Sequence, residues 1–125
     1  MNRVSNRYPR AAAQLAAAIV LLAGATGGAL ADADAAAIEE GRQVAADRQR
    51  GNCYSCHHVA GAELAGNVGP PLIVMKQRFP DRAVLYQQIA DPRIRNPNTV
   101  MPPYGAHGIL TEHELNRVVD YVLSL

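Results

Sequence analysis

The sequence contains no tryptophan, a single phenylalanine and only two cysteines among its 125 residues. Charged residues make up 18% of the chain, and its twelve basic residues nearly balance eleven acidic ones. A chain of this length forms one small domain, which leaves no room for a two-domain nucleotide-dependent enzyme. Without an excess of basic residues, the chain lacks the electrostatic footprint of a nucleic-acid-binding protein. Its 49% of apolar residues suffices for a globular core and excludes disorder over most of the chain.

Residues 1–31 have the composition of a secretory signal peptide. The first ten residues carry three arginines and no acid, residues 15–25 form an apolar centre, and small residues precede Asp32. This order predicts cleavage after Ala31 and export to the periplasm as a mature domain of residues 32–125. An uncleaved membrane anchor is the alternative, because the apolar run approaches the ~20 residues that span a bilayer. Cleavage would change the formal net charge from +1 to −2.

The mature domain is small, and a domain of this size often needs a disulfide, a metal or another cross-link. Its two cysteines lie only three positions apart, so a disulfide between them would close a very short loop and stabilise little. We therefore expect another group to contribute to the core.

Four segments have helical periodicity, and together they predict an all-α domain of about four helices joined by long loops. The first spans residues 33–50, and the second is one or two turns within 72–78. The third spans residues 81–90 with Asp81 as its N-cap, and the last begins at Thr111 with the signature of a capping box. Four prolines make residues 91–108 an extended loop. In the first helix the residues expected to share one face are Ile38, Gly41, Ala45 and Arg48. In the third, the residues expected to point inward are Val84, Leu85 and Ile89, and in the last the residues expected on one stripe are Leu115, Val118, Val119, Val122 and Leu123.

The segment Cys53-Tyr54-Ser55-Cys56-His57 carries the chemistry of the chain. Two cysteines separated by two residues and followed at once by histidine form the attachment pattern of c-type haem. The two sulfurs lie about one helical turn apart, so both can reach the vinyl groups on one edge of a porphyrin. The pattern therefore predicts one haem c bound covalently through Cys53 and Cys56, with His57 as an axial ligand of the iron.

Three other uses of the two cysteines are open. A redox-active Cys-x-x-Cys favours a βαβ context, which the sequence does not show. A simple disulfide is the second alternative. The third is a zinc site that combines both cysteines with two histidines, although the usual ligand spacing is missing; the available histidines are His57, His58, His107 and His113.

Met101 is the predicted sixth ligand of the iron. It lies in a proline-rich loop, where two prolines after it fix the backbone and can direct its thioether inward. His107 is the second candidate, and Met75 follows an apolar segment that is expected to pack in the core. The remaining candidates are His58, which adjoins His57 and must point elsewhere, and His113. Ligation by one histidine and one methionine is typical of electron-transfer haems, because it leaves no open position at the iron for dioxygen or peroxide. The thioether also raises the reduction potential.

A proline carbonyl offers a partner for the proximal histidine. In Gly69-Pro70-Pro71-Leu72, the Pro70 carbonyl could accept a hydrogen bond from His57 Nδ1 and fix the ring. The alternative is that the two prolines only stiffen the loop.

Several stretches of the mature chain carry a resemblance to known proteins: residues 50–57, 66–72, 78–82, 96–105 and 107–111. On these residues the chain resembles the monohaem class I cytochromes c and, among them, the SoxX family of thiosulfate-oxidising systems. The attachment motif alone indicates a cytochrome c. The Asn-Pro-Asn-Thr-Val-Met-Pro-Pro loop, followed by Gly-Ile-Leu-Thr, is much more specific.

The resemblance implies a heterodimer with a SoxA-type haem subunit that conjugates thiosulfate to a cysteine of the SoxYZ carrier and releases two electrons. It implies that this chain carries no catalytic residue and that its His/Met haem passes the electrons to a downstream acceptor. A freely diffusing cytochrome would use the same haem ligands and is the alternative. A haem-based sensor of gas or redox state would need an open or labile sixth position.

The resemblance implies one further contact between helices, and the chain departs from the family in one respect. Gly41 and Tyr121 are expected to meet where the first and last helices cross. Many cytochromes c place a tryptophan near a haem propionate, and this chain has none. Arginines are the candidates to take its place, although most are expected to be solvated at the surface: Arg78, Arg82, Arg93 and Arg95.

Overall fold

The computed structural model describes residues 25–63 and 66–125. The chain divides into two compact units, and residues Ala35–Leu125 form the unit that carries the motif. Every regular element in the described residues is helical, which confirms the predicted all-α fold. The helices are α1 (Ala25–Ala46), α2 (Met75–Arg78), α3 (Arg82–Ala90) and α4 (Glu112–Leu123), with short 3-10 turns at Cys53–Ser55 and Pro92–Ile94.

Most of the predicted signal peptide, residues 1–31, lies outside the described residues. The described backbone of α1 begins at Ala25 and is helical across the predicted cleavage position between Ala31 and Asp32. Cleavage there stays a prediction. Among the helices that the structure describes, none is long and apolar enough to cross a membrane.

Helix α1 ends at Ala46, earlier than the predicted end at Arg50. Asp47 causes the change, because its side chain accepts a hydrogen bond from the Gln49 amide at 2.8 Å and its carbonyl accepts one from Arg50 at 3.2 Å. Such a local turn competes with the helix. The prediction that Arg48 shares a helical face with Gly41 and Ala45 is therefore wrong, since this residue follows the helix and is exposed.

Helices α3 and α4 begin as predicted. The Asp81 side chain caps α3 by accepting from the Ala83 amide at 2.8 Å, and Thr111 with Glu114 forms the capping box of α4. Leu85 and Ile89 are buried one turn apart on α3, whereas Val84 is 38% exposed and was wrongly placed inward. The side of α4 that faces the core is almost completely buried, with Leu115, Val118, Val119, Tyr121 and Val122.

Helix α2 is a single turn, and the residue before it has an unusual backbone conformation. Val74 has φ 47° and ψ 39°, a left-handed conformation that a β-branched residue rarely adopts. Such strain persists only where the surroundings determine the backbone. Here the Met75 amide donates to the carbonyl of Leu125 at 2.9 Å, and the Met75 side chain is buried in the core.

Helices α1 and α4 approach closely at Gly41. A Cβ at this position would overlap the carbonyl oxygen of Arg117 and would lie 2.8 Å from the Cβ of Tyr121. Gly41 and Tyr121 therefore do meet where the first and last helices cross, as the resemblance implies.

We predict that Gly41→Ala destabilises the holoprotein by about 2 kcal/mol, in the range of overpacked cores. The sign of the change in unfolding free energy tests the contact with α4. Without the clash, the substitution would stabilise α1, because alanine within a helix is intrinsically favoured over glycine by about 1 kcal/mol. Denaturant unfolding followed by far-UV circular dichroism measures the change.

Gln43→Ala provides the control, since Gln43 lies on the exposed side of the same helix. Its free energy of unfolding is expected to stay within about 0.5 kcal/mol of wild type. A Gly41→Ala protein as stable as wild type would contradict the close contact between α1 and α4.

Candidate functional site

The cysteine motif lies in a tight turn after α1. Asn52 adopts a left-handed conformation with φ 47° and starts the 3-10 turn Cys53–Ser55. The Cys53 carbonyl then accepts hydrogen bonds from the amides of Cys56 at 3.2 Å and His57 at 2.9 Å. This turn brings Cys56 and His57 back beside Cys53, and the two cysteines are not joined in a disulfide.

Two cavities meet at this motif. The larger has a volume of about 670 Å³ and is lined by both cysteines and His57, and the smaller has about 130 Å³. The lining of the smaller cavity includes buried apolar residues of α2, α3 and α4, among them Leu85 and Val118. The residues that line both cavities are Cys53, His57, Pro70, Met101 and Tyr104.

The structure places His57 against a proline carbonyl. His57 Nδ1 lies 2.7 Å from the carbonyl oxygen of Pro70. A carbonyl can only accept, so Nδ1 carries the proton and Nε2 keeps its lone pair for a metal ion. The loop is fixed by two more hydrogen bonds, from the Gly69 amide to the Cys56 carbonyl at 2.8 Å and from the Leu72 amide to the His58 carbonyl at 2.9 Å.

Gly69 is a site residue that the sequence reasoning missed. A Cβ at this position would overlap the ring of His57. Only glycine therefore leaves room for the imidazole beside the Pro70 carbonyl. The signal available in the sequence was a glycine directly before the proline pair, which could have indicated a close approach of the backbone to another group.

A turn of the backbone carries Met101 to the two cavities. The Thr99 amide donates to the Asn96 carbonyl at 3.0 Å, and the Thr99 hydroxyl accepts from the Met101 amide at 3.1 Å. Met101 is half-buried and lines both cavities together with His57. The turn that begins at Asn96 thus directs the thioether to the same space as the imidazole.

The structure places three of the other candidate ligands away from the cavities. His58 is exposed, His107 Nε2 lies 3.1 Å from a guanidinium nitrogen of Arg93, and His113 Nε2 lies 2.8 Å from Glu40. Met75 lines the smaller cavity only. In the described part of the chain, no three His, Cys, Asp or Glu side chains come together as a metal site, so the zinc alternative finds no ligand set.

Burial raises the pKa of the Cys53 thiol to about 12. A redox-active Cys-x-x-Cys needs a thiol whose pKa is lowered, because the thiolate is the reactive form. The environment of Cys53 therefore does not fit a thiol–disulfide catalyst. Burial also raises the pKa of Tyr104, so its hydroxyl keeps its proton and acts as a donor at neutral pH.

The four candidate arginines have different surroundings. Arg82 pairs with Asp120 at 2.8 Å, and Arg93 pairs with Asp91 at 2.8 Å, both at the surface. Arg78 lines the smaller cavity and donates to the Pro71 carbonyl at 2.7 Å. Arg95 is exposed and lines neither cavity. Arg78 is thus the one of the four that could face an acidic group held in the cavities.

The residues present fit a covalently attached haem. Two neighbouring thiols, an imidazole with a free Nε2, a thioether and three arginines line this pair of cavities, and the walls of the smaller cavity are mainly apolar. Covalent attachment of haem c uses the two thiols and the imidazole, a thioether is one of the ligands that can complete its iron, and a hydrophobic surrounding tunes its potential.

Comparison with known proteins agrees with this chemistry. Residues 36–122 match the family model described as cytochrome c oxidase, cbb3-type, subunit III. An uncharacterised lipoprotein from Aquifex aeolicus (strain VF5) is 35% identical over 75 residues, which cover 59% of this chain. The chain spans only 36% of the length of that relative.

The family match covers most of the unit that carries the motif, including both cysteines, His57 and Met101. The chain therefore belongs to this family of class I cytochrome c domains and is an electron-transfer protein with a covalently bound haem c.

Proposed function

We propose that this chain is the electron-transfer subunit of a heterodimeric thiosulfate-oxidising enzyme, and that its haem is held between His57 and Met101. The observation that carries the electron-transfer role is that these two side chains line the same pair of cavities. When bound, the haem supplies a one-electron couple between ferrous and ferric iron. With His57 and Met101 as its two protein ligands, the haem would exchange electrons without offering a site to substrate.

The residues of the chain have separate tasks in this proposal. Cys53 and Cys56 hold the porphyrin through thioether bonds and keep it attached in both oxidation states. The Pro70 carbonyl fixes the tautomer and orientation of His57 and makes its Nε2 a better donor. Met101 supplies the thioether, which favours the ferrous state. The buried side chains of α3 and α4 keep water from the inner side of the site.

The specific partner assignment is supported by the loop of residues 96–111. Its sequence resembles that of the SoxX family, and in the structure its Val100 and Ile109 line the mouth of the larger cavity together with Val68. These three apolar side chains are 80%, 41% and 64% exposed, respectively. Exposed apolar side chains that gather at one site are typical of interaction surfaces. We propose that a SoxA-type haem subunit covers this rim.

In the proposed enzyme, an L-cysteine S-thiosulfotransferase, the chemistry on thiosulfate belongs to the SoxA-type subunit. That subunit conjugates thiosulfate to a cysteine of the SoxYZ carrier. This chain takes up the electrons and passes them to a downstream acceptor, so none of its own residues is catalytic.

The proposed location is the periplasm, in accordance with the N-terminal composition. Covalent attachment of haem c fits an extracytoplasmic protein, and the Aquifex relative is named a lipoprotein, which supports a place outside the cytoplasm or at a membrane.

A mobile electron carrier is the second candidate. The exposed apolar rim favours it as well, because a carrier must bind its redox partners briefly through such a surface. The family model, described as an oxidase subunit, also fits electron delivery to a membrane complex.

Native mass spectrometry of the protein purified from its source separates the two candidates. We expect one haem on this chain and a stable complex with a larger haem-bearing subunit. A solitary chain with one haem would contradict the heterodimer and favour the carrier. A chain without haem would contradict both.

We predict that Met101→Ala keeps the haem attached but abolishes the weak far-red band that arises from iron–sulfur charge transfer. The reduction potential is expected to fall, because the thioether that favours ferrous iron is gone. Absorption spectroscopy and potentiometry measure both changes.

Met75→Leu is the matched control, because it removes the other thioether at the cavities while nearly preserving the volume of the core. This variant should keep the far-red band. If the band survives in Met101→Ala, or disappears in Met75→Leu, then Met101 is not the ligand.

We predict that Cys56→Ser leaves at most one thioether bond and lowers the yield of holoprotein. One vinyl group then stays conjugated with the ring, so the pyridine haemochrome band shifts to longer wavelength. Ser55→Ala, in the same turn, should leave band and yield unchanged. An unshifted band and a normal yield in Cys56→Ser would count against attachment at Cys56.

A further inference from the structure

Tyr104 makes a buried hydrogen bond between the two sides of the site. Its side chain is 8% exposed, and its hydroxyl donates to the carbonyl of Gly51 at 2.6 Å. Tyr104 follows Met101 by three positions, and Gly51 precedes Cys53 by two. The bond therefore joins the loop that carries Met101 to the segment that carries the cysteines.

Both partners of this bond are anchored to helices. The Gly51 amide donates to the Val44 carbonyl of α1 at 3.1 Å. On the other side, the Gly105 amide donates to the Ala90 carbonyl at the end of α3 at 3.0 Å. The hydroxyl of Tyr104 thus connects two backbone segments, each of which is hydrogen-bonded to a helix.

The loop before Tyr104 has few other attachments. In the part of the chain that the structure describes, the other hydrogen bonds of residues 96–103 stay within residues 92–107. Pro102 and Pro103 have no amide hydrogen to donate. The hydrogen bond from the Tyr104 hydroxyl to Gly51 consequently ties the Met101 loop to the segment that carries the cysteines.

We propose that Tyr104 is a positioning residue for Met101, and that its bond to Gly51 keeps the thioether at the iron. The inference rests on the proposed ligation by His57 and Met101. Without the hydroxyl, the loop moves away from the cysteine segment more often, and the thioether leaves its position more often. The buried Gly51 carbonyl also loses its donor from Tyr104.

A tyrosine that only fills space gives a different expectation. Phenylalanine keeps the ring and its packing, so Tyr104→Phe would then leave the behaviour of Met101 unchanged. Carbon monoxide distinguishes the two roles, because it binds ferrous iron only when the sixth position becomes free. Its rate of association reports how often the thioether leaves.

The test measures carbon monoxide association with the ferrous holoproteins of wild type, Tyr104→Phe and Tyr54→Phe, together with the far-red band of their ferric forms. We expect association about tenfold faster in Tyr104→Phe, in line with the loss of a buried hydrogen bond. We also expect a weaker far-red band. The pyridine haemochrome spectrum should stay that of wild type, because the cysteines are untouched.

Tyr54→Phe is the control, since the Tyr54 hydroxyl lies 2.7 Å from the Tyr121 hydroxyl and has no hydrogen bond to the Met101 loop. This variant should bind carbon monoxide at the wild-type rate. Equal rates in wild type and Tyr104→Phe would overturn the inference, and so would equal acceleration in both variants, which indicates general loosening. A wild-type protein that lacks the far-red band and binds carbon monoxide as fast as Met101→Ala would instead overturn the proposed ligation.

Discussion

The position of the site depends on the close approach of α1 and α4 at Gly41. The segment that leaves α1 carries the cysteines and His57, and the loop that enters α4 carries Met101. An ion pair between Arg50 and Glu114 at 3.0 Å holds the end of the first segment beside the start of α4. Because both sides of the cavities start from these two helices, their separation depends on how closely the helices approach.

The groups proposed to bind the iron come from loops rather than from regular structure, so hydrogen bonds must fix them. The Pro70 carbonyl orients His57, and the Tyr104 hydroxyl connects the Met101 loop to Gly51. Each bond joins residues that are distant in the chain. This arrangement explains how a small domain with long loops can hold the two proposed ligand side chains in place, while the covalently attached haem takes the role of a disulfide.

The features that could be predicted from the sequence are those that depend only on residues close together in the chain. The attachment motif needs only five consecutive residues, and the caps at Asp81 and Thr111 need only a side chain and an amide within one turn. Arg48 and Val84 were placed wrongly because periodicity does not show where a helix ends or which neighbouring position tertiary packing leaves in solvent. Gly69 and Tyr104 were missed for a related reason, since their importance comes from contacts with distant residues that no local pattern displays.

The central claim is that one methionine sulfur and one histidine nitrogen of this chain bind the iron. X-ray absorption at the iron K edge of the holoprotein tests it most directly, because the cysteine sulfurs are joined to the porphyrin rather than to the metal. The account predicts a sulfur atom bonded to iron in both oxidation states, beside nitrogen atoms. Iron bonded to nitrogen or oxygen atoms alone would contradict it.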